Sequence, residues 1–101
     1  MSEFLRLYQS AVAPADVEEI KRLFVDDVVP AFSGATGCLG IELAVNVEAN
    51  AGGLVEGTAI SRWTSLDDMA EAMASHEVRE AMVRVRQLLR QEPVSKVLEV
   101  L

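Results

Sequence analysis

The segment "CLGIELAVNV", residues 38–47, restricts the fold of this chain more than any other part of it. Apolar and polar residues alternate along the segment, which is typical of a β-strand with one buried face. A second strand-like segment, "LVEGTAISRW" at residues 54–63, follows after the turn "EANAGG". We therefore expect an antiparallel sheet in the middle of the chain.

The first third of the chain predicts a strand followed by a helix. Residues 3–12 are apolar with polar residues interleaved, and we predict strand one there. Pro14 suits the first turn of a helix, and Asp16 and Glu19 have capping-box spacing. We expect Pro30 and the glycines that follow it to end the helix, because proline lacks an N–H. The apolar face of this helix would hold Val17, Ile20, Phe24 and Val28.

The second half of the chain adds two short helices and a last strand. Ser65 or Thr64 is placed to cap one helix, and Ser75 to cap the next. The segment "VSKVLEVL" after Pro93 is predicted as the terminal strand. The order β-α-β-β-α-α-β is that of an α+β, ferredoxin-like protomer with its helices on one face of an antiparallel sheet. We expect a single domain over residues 1–101.

The alternation also predicts which residues face the helices and which face outward. The predicted helix side holds Leu5 and Leu7; Leu39, Ile41, Leu43, Val45 and Val47; and Val55, Gly57, Ala59, Ser61 and Trp63. The predicted outer face mixes charged residues with Phe4, Tyr8, Leu54 and Ile60. Such a face is too apolar for water, so we predict a homodimer formed sheet to sheet. A monomer with a half-polar exposed sheet is the alternative.

Composition excludes several classes of partner and site. The net charge of −7 opposes binding to nucleic acid or to an anionic membrane. No run of 18 apolar residues and no export signal is present, so we expect a soluble, cytoplasmic protein. One histidine and one cysteine, Cys38, make no metal-ligand set, and no phosphate or dinucleotide motif occurs. We therefore predict neither a metal nor a cofactor.

The third strand predicts a pocket. Gly57, Ala59 and Ser61 have little side-chain volume, so space is expected between this strand and the helices above it. Trp63 would close one end of that space. The helix methionines Met69, Met73 and Met82 would line the rest with adaptable apolar surface, suited to a flat aromatic or other hydrophobic ligand. The alternative is that large side chains fill the gap and Trp63 is ordinary core.

Few groups in the sequence could do chemistry at such a pocket. His76 lies in the first turn of the last helix, where the helix dipole favours neutral imidazole, so it could serve as a base. Arg86 and Arg90 lie within about 20° of Arg79 on a helical wheel at 100° per residue, and the three could hold an anionic oxygen. Both groups have an alternative interpretation as exposed surface residues.

Three segments together resemble a known family. "TGCLGIEL", "ISRWTSLDDMAEAMAS" and "VREAM" are similar to the Gly-Cys-Leu strand, the Arg-Trp strand end and the Arg-Glu-Ala helix of antibiotic biosynthesis monooxygenase-like (ABM) domains. The resemblance covers nearly the whole chain. It implies a member of the dimeric α+β barrel superfamily, with ferredoxin-like protomers paired through their sheets.

The resemblance also implies roles for individual residues. In the quinol-oxidising enzymes of this family, a Trp and an Arg of the substrate cavity match Trp63 and Arg79. The Asn and Tyr of those enzymes are replaced here by Ala59 and Met69. Haem-degrading relatives carry an iron-binding His where this chain has about Met82, with His76 too early, so a haem-binding function is the less favoured alternative.

From these residues we form two hypotheses about function. The first is a cofactor-independent monooxygenase that oxidises an electron-rich aromatic or quinol-type molecule with dioxygen. In this hypothesis, Arg79 stabilises the substrate anion and His76 acts as base. Trp63 positions the substrate, and the residues around the substrate are Ala59, Ser61, Met69, Met73 and Met82. The second is a non-catalytic small-molecule-binding or interaction domain of the same fold, which the residues at 59 and 69 favour.

Overall fold

The computed structural model describes residues 2–101 and contains a four-stranded antiparallel sheet in the order β2-β3-β1-β4. The strands are β1 (Glu3–Val12), β2 (Cys38–Val45), β3 (Val55–Trp63) and β4 (Val94–Val100). The ferredoxin-like α+β fold predicted from the sequence is confirmed. None of the helices within residues 2–101 is long and apolar enough to cross a bilayer.

The first helical region is longer than predicted. A 3₁₀ turn at Pro14–Asp16 leads into α1 (Val17–Leu23), a π-helical turn at Phe24–Val28 and α2 (Val29–Ser33). The prediction that Pro30 and the following glycines end the helix is right for Gly34, which follows the last residue of α2, and wrong for Pro30. Pro30 lies in the first turn of α2, just after the π turn, and a proline there loses no helical hydrogen bond. The predicted capping box is also absent, because the Asp16 side chain forms no cap hydrogen bond.

The two later helices begin where their serines predict. In α3 (Leu66–Ala74), the Ser65 hydroxyl accepts a hydrogen bond from the Asp68 N–H at 3.1 Å. In α4 (His76–Arg86), the Ser75 hydroxyl accepts one from the Val78 N–H at 3.3 Å. Ser75 has an extended backbone, with ψ 152°, so it ends α3 and caps α4 at once.

The face assignment predicted for β1 is reversed in the structure. Phe4 pairs with Trp63 and Tyr8 pairs with Ala59, and directly paired residues of an antiparallel sheet share a face. Phe4 and Tyr8 accordingly pack against the core beneath the helices, and the predicted outer positions are wrong. Leu5 and Leu7 face outward. They form an outer apolar patch with three residues of the neighbouring strands, Ile60, Leu98 and Val100.

Two residues predicted as buried on β2 are exposed. The strand has a bulge between Cys38 and Gly40, where the pairing with β3 shifts by one residue. The bulge turns Leu39 outward, and 52% of it is exposed. Val47 lies beyond the end of β2 and is fully exposed. The core itself is built around Trp63, Phe32 and Val78, which are the largest hydrophobic side chains that are fully buried.

Candidate binding cavity

A cavity of about 60 Å³ lies between the sheet and the first and last helices. Its floor includes Gly57 and Ala59 on β3, and this position follows from their small side chains. The helices contribute Ile20 on α1, and Met82 and Val85 on α4. The full lining is Tyr8, Ser10, Ala11, Val12, Ile20, Phe24, Val28, Leu43, Val45, Val55, Glu56, Gly57, Ala59, Met82, Val85 and Leu89.

Trp63 does not line this cavity, and the prediction that it closes one end is wrong. Its relative exposure is 0%, and its ring lies 6.2 Å from that of Phe32, between centroids. The indole Nε1–H donates a hydrogen bond to the Ser61 hydroxyl at 2.9 Å. The Ser61 hydroxyl therefore binds the indole and is not available to a ligand. This end of β3 is closely packed.

The three methionines separate into two groups. Met82 lines the cavity, as does Ala59 below it. Met69 is buried in the core and Met73 packs against that core, but neither is part of the cavity lining. The predicted ligand-contacting set is thus divided, with Ala59 and Met82 at the cavity and Trp63, Ser61, Met69 and Met73 away from it.

The two residues predicted to be catalytic are also absent from the cavity lining. His76 has 81% of its side chain exposed, and its Nε2 lies 2.9 Å from a carboxylate oxygen of Glu80. Arg79 is exposed on α4. The predicted arginine cluster does not form either, because α4 ends at Arg86, and Arg90 lies beyond it with its Nη2 3.8 Å from Asp16.

Two polar side chains, those of Tyr8 and Ser10, line the cavity, and neither was predicted there. Glu56 borders the cavity, but it precedes the floor residue Gly57 on β3, so its exposed side chain points to the outer face of the sheet. The Ser10 hydroxyl donates to the Gln91 carbonyl at 2.7 Å, whereas Glu56 accepts hydrogen bonds from the Asn46 and Asn50 amides at 3.4 Å each. The missed signal was register, because Tyr8 reaches the cavity only if β1 aligns Tyr8 with Ala59.

The remaining lining is apolar, which determines what the cavity can hold. A cavity that binds benzene has a volume of about 150 Å³, so this one is too small for a whole aromatic ring. Met82 and Leu89 have flexible side chains, and their movement would admit a ring. Within residues 2–101, no three His, Cys, Asp or Glu side chains gather as a metal site.

Comparison with solved structures shows the same fold in several proteins. A protein of Bordetella bronchiseptica, described as a candidate antibiotic biosynthesis monooxygenase, is 17% identical over 100% of this chain and 99% of its own, with a TM-score of 0.79. One of Caulobacter crescentus with the same description is 16% identical over 99% of this chain and 91% of its own, with a TM-score of 0.75. This protein has the ABM-like fold.

One further structure with the ABM-like fold carries an assigned activity. SnoaB of Streptomyces nogalater, described as a cofactor-independent oxygenase, is 18% identical over 95% of this chain and 90% of its own, with a TM-score of 0.73. No protein-family model matches the sequence, and no curated protein matches it. At these identities the similarity establishes the ABM-like fold alone.

Proposed function

We propose that the protein is a cofactor-independent monooxygenase that oxidises an electron-rich aromatic molecule in the cavity between sheet and helices. The observation that carries this proposal is the cavity itself, whose side-chain lining is apolar apart from Tyr8 and Ser10. An apolar site with a few convergent polar groups is the usual form of a small-molecule site. The fold shared with SnoaB, a described cofactor-independent oxygenase, supports the reaction class.

The reaction needs no group beyond substrate and dioxygen. A phenolic or enolic substrate loses a proton, and its anion transfers an electron to dioxygen. The two radicals combine into a carbon–oxygen bond, and the resulting peroxide loses water to leave a carbonyl. One oxygen atom enters the product, the other leaves as water, and the substrate carbon is oxidised from CH₂ to C=O. The protein has to keep bulk water away from the reacting carbon and stabilise the anion.

No side chain in the cavity is assigned as base in this proposal, and the substrate proton goes to water. The Glu56 carboxylate lies on the outer face of β3, where the Asn46 and Asn50 amides hold its two oxygens. His76 and Arg79, which the sequence analysis assigned as base and anion partner, lie outside the lining, so no direct contact with the substrate is assigned to them.

The test is oxidation of anthrone-type substrates, whose ring CH₂ becomes a carbonyl, under air, followed by quinone absorbance. Ala59→Leu adds three carbons above the cavity floor and is expected to lower the rate at least about tenfold, since close-packed sites do not accept added volume. Ala70→Leu, an equal change at an exposed position of α3, should keep the wild-type rate. Rates equal to the uncatalysed background in all three proteins would exclude the oxygenase.

A second candidate is a non-catalytic small-molecule-binding domain. The exposure of His76 and its contact with Glu80, away from the cavity, favour it. This candidate predicts that anthrone-type substrates bind and that Ala59→Leu weakens binding, while quinone forms at the background rate. Binding by fluorescence and oxidation by absorbance can be measured in the same sample, which separates the two functions.

We also propose that the protein is a homodimer formed through the outer apolar patch. Leu5, Leu7 and Ile60 lie together on this face, and Leu98 and Val100 are exposed beside them. The charged pair Arg62 and Glu3, 3.6 Å apart on the same face, would lie at the rim of a contact between two sheets. Burial of these aliphatic side chains against a second copy would remove them from water, which favours the dimer.

Leu7→Lys tests this dimer. Leu7 lies between Ile60 and Lys96 on this face, so a lysine there would bring a second cation beside Lys96 into the contact, and the dissociation constant is expected to rise at least about tenfold. Light scattering across a dilution series measures the change. Val83→Lys replaces an exposed aliphatic residue of α4 and should not alter the mass. A wild-type protein that is monomeric at high concentration would contradict the proposal.

A further inference from the structure

Arg6 has an unusual environment for a charged residue. It pairs with Ser61 on β3 and Val97 on β4, so it shares the helix-facing side of the sheet with Tyr8. Its guanidinium carbon lies 5.4 Å from the centroid of the Tyr8 ring, a cation–π contact. Its one side-chain hydrogen bond is a long one, 3.5 Å from Nη2 to the Ser95 hydroxyl.

No carboxylate within residues 2–101 lies within 4 Å of the Arg6 guanidinium. Its nearest acidic neighbour in the β4 register is Glu99, opposite Phe4, and Glu99 is exposed. Most other arginines have carboxylate partners, namely Arg22, Arg62, Arg84, Arg86 and Arg90. Arg79 is exposed. Arg6 is thus a half-buried cation without an acidic partner.

Partial burial disfavours the charged form of Arg6. Loss of water lowers the pKa of Arg6 from its usual value, and the nearby Tyr8 opposes the shift in part. The guanidinium has five N–H donors and one long, solvent-exposed hydrogen bond, so its other donors are open to water or to a ligand. Perturbed and incompletely paired charges of this kind are typical of binding sites.

Tyr8 connects Arg6 to the cavity. Its side chain is part of the lining, beside the floor residue Ala59. No residue within 2–101 forms a hydrogen bond with the Tyr8 hydroxyl, and the hydroxyl is accessible to solvent. The cavity wall therefore carries a phenol with an available hydroxyl and a guanidinium stacked on its ring.

We propose that Tyr8 binds the phenolate oxygen of an aromatic ligand and that Arg6 positions the Tyr8 ring and favours the ligand's anionic form. This inference rests on the proposed function and names the ligand class and the residues that recognise it. The Tyr8 O–H donates to the phenolate oxygen. Arg6 acts through its contact with the ring and through its charge, which is weakly screened in this half-buried position.

The experiment uses 4-nitrophenol, whose absorbance reports its ionisation, and 4-nitroanisole, which has a similar shape and cannot ionise. The wild-type protein is expected to bind the phenolate at least about tenfold more tightly than the anisole. It should also lower the pKa of bound 4-nitrophenol by about one unit, because a nearby cation favours an anion. Arg6→Gln and Arg6→Met should both abolish this pKa shift while binding of 4-nitroanisole changes less than about twofold.

Tyr8→Phe removes the donor and should weaken phenolate binding by about three- to tenfold. Arg62→Gln, on the outer face and paired with Glu3, is the matched control and should retain the full shift. If the wild-type protein binds both probes equally, this proposal is wrong, but the proposal that the cavity binds aromatic molecules is retained. If neither probe binds, the cavity proposal and this one are both wrong.

Discussion

Trp63→Ala is expected to lower the free energy of unfolding by about 3–5 kcal/mol, the range for removal of a large buried aromatic side chain. Trp63 is fully buried and packs against Phe32, so its loss leaves a cavity that the rigid end of β3 cannot close. Natural domains have a total stability of about 5–15 kcal/mol, so the variant should be partly unfolded near physiological temperature. Urea titration followed by circular dichroism measures the change.

Two further variants separate the packing of Trp63 from its hydrogen bond. Ser61→Ala leaves the buried indole N–H without its acceptor and should cost about 1–3 kcal/mol. Leu66→Ala, at an exposed position of α3, should change stability by less than about 0.5 kcal/mol. If Trp63→Ala is no more destabilised than Leu66→Ala but loses ligand binding, the assignment of Trp63 to the core is wrong.

Gly37→Ala is expected to lower the free energy of unfolding by about 2–4 kcal/mol, from backbone strain together with a steric clash. Gly37 has φ +80°, a conformation that residues with a side chain rarely adopt. A methyl group there would also lie 2.7 Å from the Asp68 Cβ and 2.9 Å from its Cγ, in the first turn of α3. Chemical denaturation at equilibrium is the measurement.

Gly53→Ala is the matched control for this glycine. Gly53 has nearly the same backbone conformation, with φ +81°, but a methyl group there would meet no atom within 4 Å. Its substitution should therefore cost only the strain, about 1–2 kcal/mol. Equal losses at the two positions would show that the close approach between Gly37 and α3 does not contribute.

The fold was predictable because its signals are local. The alternation along residues 41–45 and the capping serines Ser65 and Ser75 depend only on neighbours in the chain, and the structure agrees with each of them. Pro30 was misjudged because the π turn before it places the proline at the start of a new helical segment. Such a turn is stabilised by packing and has no strong sequence signature.

The cavity was only half predictable. The small side chains of Gly57 and Ala59 leave space beneath Met82, whereas the space above Ser61 is occupied by the Trp63 indole. Alternation tells which side of a strand a residue faces, but it does not tell which distant side chain fills the space above it. Packing between elements that are far apart in sequence decides that question.

By itself, the sequence of this protein determined the strands, most helix limits and their order along the chain, because hydrophobic period and caps act over a few residues. Only the tertiary structure decided that Arg6 and Tyr8 lie beneath the helices and that Leu5 and Leu7 lie outside. Strand β1 carries apolar residues on both faces, so its pattern is compatible with either side. A shift of one residue in its pairing with β3 would exchange the two faces, and register depends on the whole sheet.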